Sequence, residues 1–63
     1  MNLNEKLLQL KRQSESKEVW VYDGTRYLFS DYVTNDSIFK TIYSDDEVIS
    51  VKNLLGYIEI KIG

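Results

Sequence analysis

The chain has no cysteine, no histidine and no proline, and only three glycines among its 63 residues. Without cysteine there is no disulfide, and without cysteine and histidine the usual ligands of zinc and iron–sulfur sites are missing. The same absences remove the commonest general base and the strongest nucleophile. The glycines lie at 24, 56 and 63, too far apart for a phosphate-cradling loop. Neither catalysis nor a cofactor is expected. No apolar run approaches the ~20 residues of a membrane span, and the N-terminus shows no signal-peptide pattern. A soluble, cytoplasmic protein is the expectation.

What is present fits one small domain, residues 1–63. A chain of this length buries only about 60% of the surface its unfolded form exposes, so its core is marginal unless something staples it. With disulfides and metals excluded, self-association is the staple that remains. Hydrophobic residues make up 43%, and eight aromatics (five Tyr, two Phe, one Trp) are many for the length. The formal charge of −2 argues against nucleic-acid binding through overall basicity. Its distribution is uneven. Residues 1–26 carry five basic groups against four acidic ones, and residues 27–63 carry three against six. A local basic rim is compatible with a mildly acidic whole.

Leu3, Leu7 and Leu10 recur with the period of a helix resting one face on a core, and predict a helix over about 3–13. Asn2 fits as its N-cap, and Glu5 completes a capping-box pattern. Lys11 and Arg12 suit the C-terminal end of the dipole. The β-branched and aromatic segment 18–22 predicts a strand that is apolar on both faces, one for the core and one for an interface or ligand. Asp23-Gly24 predicts a tight hairpin turn. Further strands are expected over 25–33, 38–44, 47–52 and 57–62. In the last, Ile58, Ile60 and Ile62 face inward and Tyr57, Glu59 and Lys61 outward. Short connections throughout predict a mainly β fold, an N-terminal helix followed by a five-stranded, strongly bent antiparallel small barrel.

Asp45-Asp46-Glu47 is read as a solvated turn rather than a magnesium site. Asp31 and Asp36 have no spacing that marks an acid–base pair. Trp20, just before the hairpin turn and near Arg26 across it, has two readings that the residues alone leave open. It serves as a base-stacking platform, or it fills a core or interface gap.

Several landmarks resemble the Sm-like family, most closely its bacterial RNA-chaperone branch, Hfq. Leu7-Leu8-Gln9-Leu10-Lys11-Arg12 looks like that family's helix with its basic end. Asp23-Gly24 follows at the family's helix-to-turn interval, and Asp36 corresponds to the aspartate of the first Sm motif. Val51-Lys52-Asn53-Leu54-Leu55-Gly56 looks like the branch's Tyr-Lys-His-Ala-Ile-Ser. The resemblance implies three RNA surfaces: a rim at Lys11 and Arg12, a distal-type purine site at Trp20, Gly24, Arg26 and Tyr27, and a proximal-type uridine site at Ser37, Ile38, Lys52 and Asn53. Asn53 stands in place of the histidine, Val51 of the tyrosine and Ile38 of the uracil-stacking aromatic, so the implied preference is purine-rich.

The resulting expectation is an RNA-binding ring, a hexamer whose fourth and fifth strands pair between subunits, acting on single-stranded RNA as a chaperone. The alternative is a small SH3-like protein-binding module or phage-type inhibitor that uses an exposed strand edge and an aromatic patch.

Overall fold

A computed structural model describes residues Met1–Gly63. Helix α1 spans Leu3–Arg12 and is followed by strands β1 (Glu18–Asp23), β2 (Arg26–Asp31), β3 (Val48–Asn53) and β4 (Tyr57–Ile62). A single 3₁₀ turn, Asp36–Phe39, lies between β2 and β3. The helix starts where its cap chemistry requires. The Asn2 side chain accepts from the Glu5 N–H at 2.9 Å, and the Glu5 carboxylate accepts from the Asn2 N–H at 2.8 Å. The remaining first-turn donors are also satisfied, because Leu3 N–H and Asn4 N–H reach the carbonyls of Asp46 and Ser44.

The sheet runs β2-β1-β4-β3 and is mixed. Two antiparallel hairpins, β1–β2 and β3–β4, are joined side by side through β1 and β4, which are parallel. Gly24 sits in the first hairpin turn at φ +62°, a conformation that glycine adopts without steric cost. Helix α1 covers one face only. Leu3, Leu7 and Leu10 pack there with Val19 and Val21 of β1, Ile58, Ile60 and Ile62 of β4, and Val33 and Ile38 of the connecting segment. These ten residues are the whole buried core, and none is polar. Each fully buried aliphatic contributes about 1.5–3 kcal/mol. The central strands therefore anchor the fold.

Two expectations need correction. The segment 38–44 is not a strand, and the sheet is an open four-stranded one rather than a five-stranded antiparallel barrel. The apparent alternation in 38–44 fails on burial. Ile38 is 1% exposed and Ile42 is 89% exposed, although a strand would put both on one face. Instead Phe39 and Tyr43, four apart, both lean on the core. Turn bonds fold the segment on itself, from Ile38 N–H to Asn35, Lys40 N–H to Ser37 and Asp46 N–H to Tyr43. The helix then takes carbonyls that a strand would need: besides the bond from the Asn4 N–H to Ser44, Asn4 Nδ2 donates to the Phe39 carbonyl at 3.2 Å. With that strand gone, nothing bridges the two outer strands: the edge of β2 stays free, and that of β3 is covered only at its start, where Val48 N–H donates to the Met1 carbonyl and Asn2 bridges Glu47.

Both edges are irregular. Leu28 is an extra residue in β2 between the pairs Tyr22–Tyr27 and Val21–Phe29, and Ile49 is an extra residue in β3 between Val48–Ile62 and Ser50–Lys61. Bulges of this kind twist an edge and interrupt the ladder that another strand would pair with.

Candidate interaction surface on the open sheet face

The face of the sheet away from α1 carries no covering element. Because side chains alternate, Val19 and Val21 turn to the core while Glu18, Trp20 and Tyr22 turn outward, and in β4 the outward set is Tyr57, Glu59 and Lys61. The parallel register sets Glu18 beside Tyr57, Trp20 beside Glu59 and Tyr22 beside Lys61. Tyr27 enters from β2 opposite Tyr22, and Lys52 from β3 opposite Glu59.

Four aromatic rings meet on this face. Trp20 lies 5.5 Å from Tyr27 and 5.2 Å from Tyr57, centroid to centroid, with the ring planes tilted by 57° and 42°. Tyr22 meets Tyr27 edge-on at 5.8 Å. Such tilted pairs place ring edges against ring faces, the favourable arrangement for aromatic quadrupoles. The indole N–H of Trp20 donates to Glu18 Oε1 at 2.7 Å, and the Tyr27 hydroxyl shares a 2.8 Å hydrogen bond with Ser30 Oγ. The polar atoms of Trp20 and Tyr27 are thereby engaged within the chain. The Tyr22 hydroxyl is pushed above its ordinary pKa of 10.0, first by partial burial and then by Tyr57, Glu59 and Tyr27.

The charges around the rings are balanced and mostly paired. Lys61 Nζ lies 3.8 Å from Glu59, and Arg26 lies 3.9 Å from Asp23 at the hairpin tip. All four partners are at least partly solvated, so these pairs organise the rim more than they stabilise it.

Of the residues that the Sm-like resemblance implies, Trp20 and Tyr27 are in contact, Gly24 lies in the adjoining turn and Arg26 opens β2. Lys11 and Arg12 end the helix on the opposite side of the sheet. There Lys11 pairs with Asp36 at 3.5 Å and lies over the Phe39 ring at 5.4 Å. Ser37, Ile38, Lys52 and Asn53 do not converge. Ile38 is sealed in the core, and the Ser37 hydroxyl donates to Asp31 of the β2 edge. Lys52 and Asn53 sit on the opposite edge strand, where Asn53 Oδ1 accepts from Lys17 Nζ at 2.6 Å. Asp31 and Asp36 do not pair with each other either. Asp31 is held by the Tyr32 N–H, Asn35 Nδ2 and Ser37 Oγ as the anchor of the following turn.

The sequence places Tyr57 outward on the last strand and Tyr22 on a strand apolar on both faces, and connects neither with Trp20. Their signal was parity, since each takes the outward position in a strand whose alternate residues are aliphatic. What parity could not supply was that β1 and β4 are neighbours.

The fold and its uncovered face define the class, a two-layer protein in which one helix backs a four-stranded mixed sheet whose free side presents an aromatic cluster. Comparison with protein-family profiles, with curated proteins and with solved structures found no match for the chain. No helix is long and apolar enough to cross a membrane.

Proposed function

We propose that this protein is a small protein-binding module whose contact surface is the open aromatic face. The observation that carries the reading is the cluster of Trp20, Tyr22, Tyr27 and Tyr57 on a sheet face that no element of the chain covers. Trp and Tyr supply large, stiff contact area and dominate the energetic centres of protein interfaces. The surrounding ions are balanced and mostly matched among themselves, and the chain is net negative, so no field draws a polyanion to the face. A protein partner with an apolar, charge-poor contact patch fits these properties. The bulged edges favour the face over strand addition.

A second reading has its own support. Trp20 and Tyr27 in contact is an arrangement on which bases of single-stranded RNA stack, and under the Sm-like resemblance the preference is purine-rich. Against it, the tilted Tyr27 and Tyr57 crowd the indole ring, and Arg26 already faces a carboxylate.

Trp20 is the only tryptophan, so its emission reports directly on the face. Under the first reading, A-rich and U-rich oligonucleotides leave it unchanged at low salt. A partner captured by the wild type is then lost by Tyr27→Ala and Tyr57→Ala variants that retain the wild-type circular dichroism. Saturable quenching by an oligonucleotide, together with capture indifferent to both substitutions, would replace the first reading with the second.

A further inference from the structure

On the helix side, remote from the aromatic face, α1 and the 3₁₀ turn border a shallow, open pocket of about 300 Å³ lined by Leu8, Lys11, Asp36, Phe39 and Lys40. Its floor is apolar. Leu8 is the one leucine of the helix that escapes the core, and Phe39 packs partly on it. Its wall is rigid, because the Phe39 carbonyl accepts from both Asn4 Nδ2 and Ser44 Oγ at 3.2 Å, and Ile38 beside it is locked in the core. Its charge is opposite in sign to that of the whole chain. Two ammonium groups face one carboxylate, in a protein of net −2. Lys11 is shared with Asp36 at 3.5 Å, whereas Lys40 makes no ion pair.

The geometry points to a binding site for an amphipathic carboxylate, an apolar side chain carrying its acid group one or two bonds away. The apolar group rests on Leu8 and Phe39, and the carboxylate takes Lys40 and competes with Asp36 for Lys11. The volume stands at the lower end of ligand pockets and suits one aromatic or branched aliphatic group. Both a free small acid and the C-terminal residue of a polypeptide present this chemistry.

The site is tested on the full chain, labelled with ¹⁵N, by titration with N-acetylphenylalanine at neutral pH, with N-acetylphenylalaninamide and acetate as controls. Expected are saturable amide shifts centred on Leu8, Lys11, Phe39 and Lys40. The amide should bind severalfold more weakly, and acetate should not saturate. Lys40→Gln should weaken the acid by about two- to fivefold, the size of a partly solvated charge contact. Asp36→Asn should tighten it by a similar factor, because Lys11 is released. That sign separates this site from non-specific apolar binding. Equal affinity for acid and amide, shifts centred on Trp20 and Tyr57, or an Asp36→Asn variant no tighter than wild type would overturn the assignment. A Gly-Gly-Gly-Phe peptide with a free carboxylate then distinguishes the sources. Tighter binding than N-acetylphenylalanine marks a polypeptide C-terminus, and equal or weaker binding marks a free acid.

Discussion

Gly24 and Tyr22 show how single positions are constrained for different reasons. At Gly24 an added Cβ would meet nothing within 4 Å, so only the backbone conformation resists substitution. Gly24→Ala should therefore cost about 1–2 kcal/mol, the penalty of a left-handed conformation, and Gly24→Asn less. Urea unfolding should show the midpoint falling with the slope unchanged. Tyr22 is constrained by its neighbours. Its hydroxyl ionises above 10.0 in the folded protein and near 10 in the unfolded chain. Between those values the unfolded state binds fewer protons, so this contribution is fully present below pH 10 and declines as pH rises through the folded value. Urea midpoints between about pH 9 and 11 should fall less steeply for Tyr22→Phe than for the wild type.

The elements differ in how far local sequence determines them. Helix α1 was legible from its leucine spacing and from Asn2 and Glu5, because a capped amphipathic helix is a local object. Replacing Asn2 by Ala should cost about 1 kcal/mol, and thermal unfolding followed at 222 nm would measure it. Strands β1 and β4 were legible from β-branched residues at alternate positions, and for β4 the expected inward set, Ile58, Ile60 and Ile62, is the buried one. The turn at Asp23-Gly24 was legible from glycine. The segment 38–44 was not, because Ile38, Phe39, Ile42 and Tyr43 satisfy a two-residue and a four-residue period equally well. The choice between them lay with the helix N-terminus, whose Leu3 and Asn4 donors claim the Asp46 and Ser44 carbonyls from the far end of the sequence. The aromatic site was half legible for the same reason. Trp20 and Tyr27 belong to one hairpin, while Tyr57 joins them only through the parallel pairing of β1 with β4.

For the molecule as a whole, the open sheet changes what the chain must manage. A barrel would have no edges, but this sheet has two, and each carries an extra residue. At its outer edge β3 also presents Lys52, with Ile49 and Val51 exposed. The β3–β4 turn is held from outside, as Lys17 Nζ bonds both Asn53 Oδ1 and the Leu54 carbonyl and ties the linker after α1 to the far hairpin. Leu55 at that turn is 99% exposed and contributes nothing to the core.

The parallel pairing at the centre of the sheet has one more consequence. Each hairpin belongs to a different half of the chain, and an isolated two-stranded hairpin is marginal in water. Residues 1–34 hold α1, β1, β2 and six of the ten core side chains, and residues 35–63 hold β3, β4 and the other four. Expressed as separate peptides, the halves should each be disordered and should reconstitute the fold on mixing. The emission of Trp20, in the first half, would report the event. A first peptide that keeps native circular dichroism alone would refute this. On that outcome, the protein is a complementation pair joined by a tether, and division at Thr34 would give a two-component reporter.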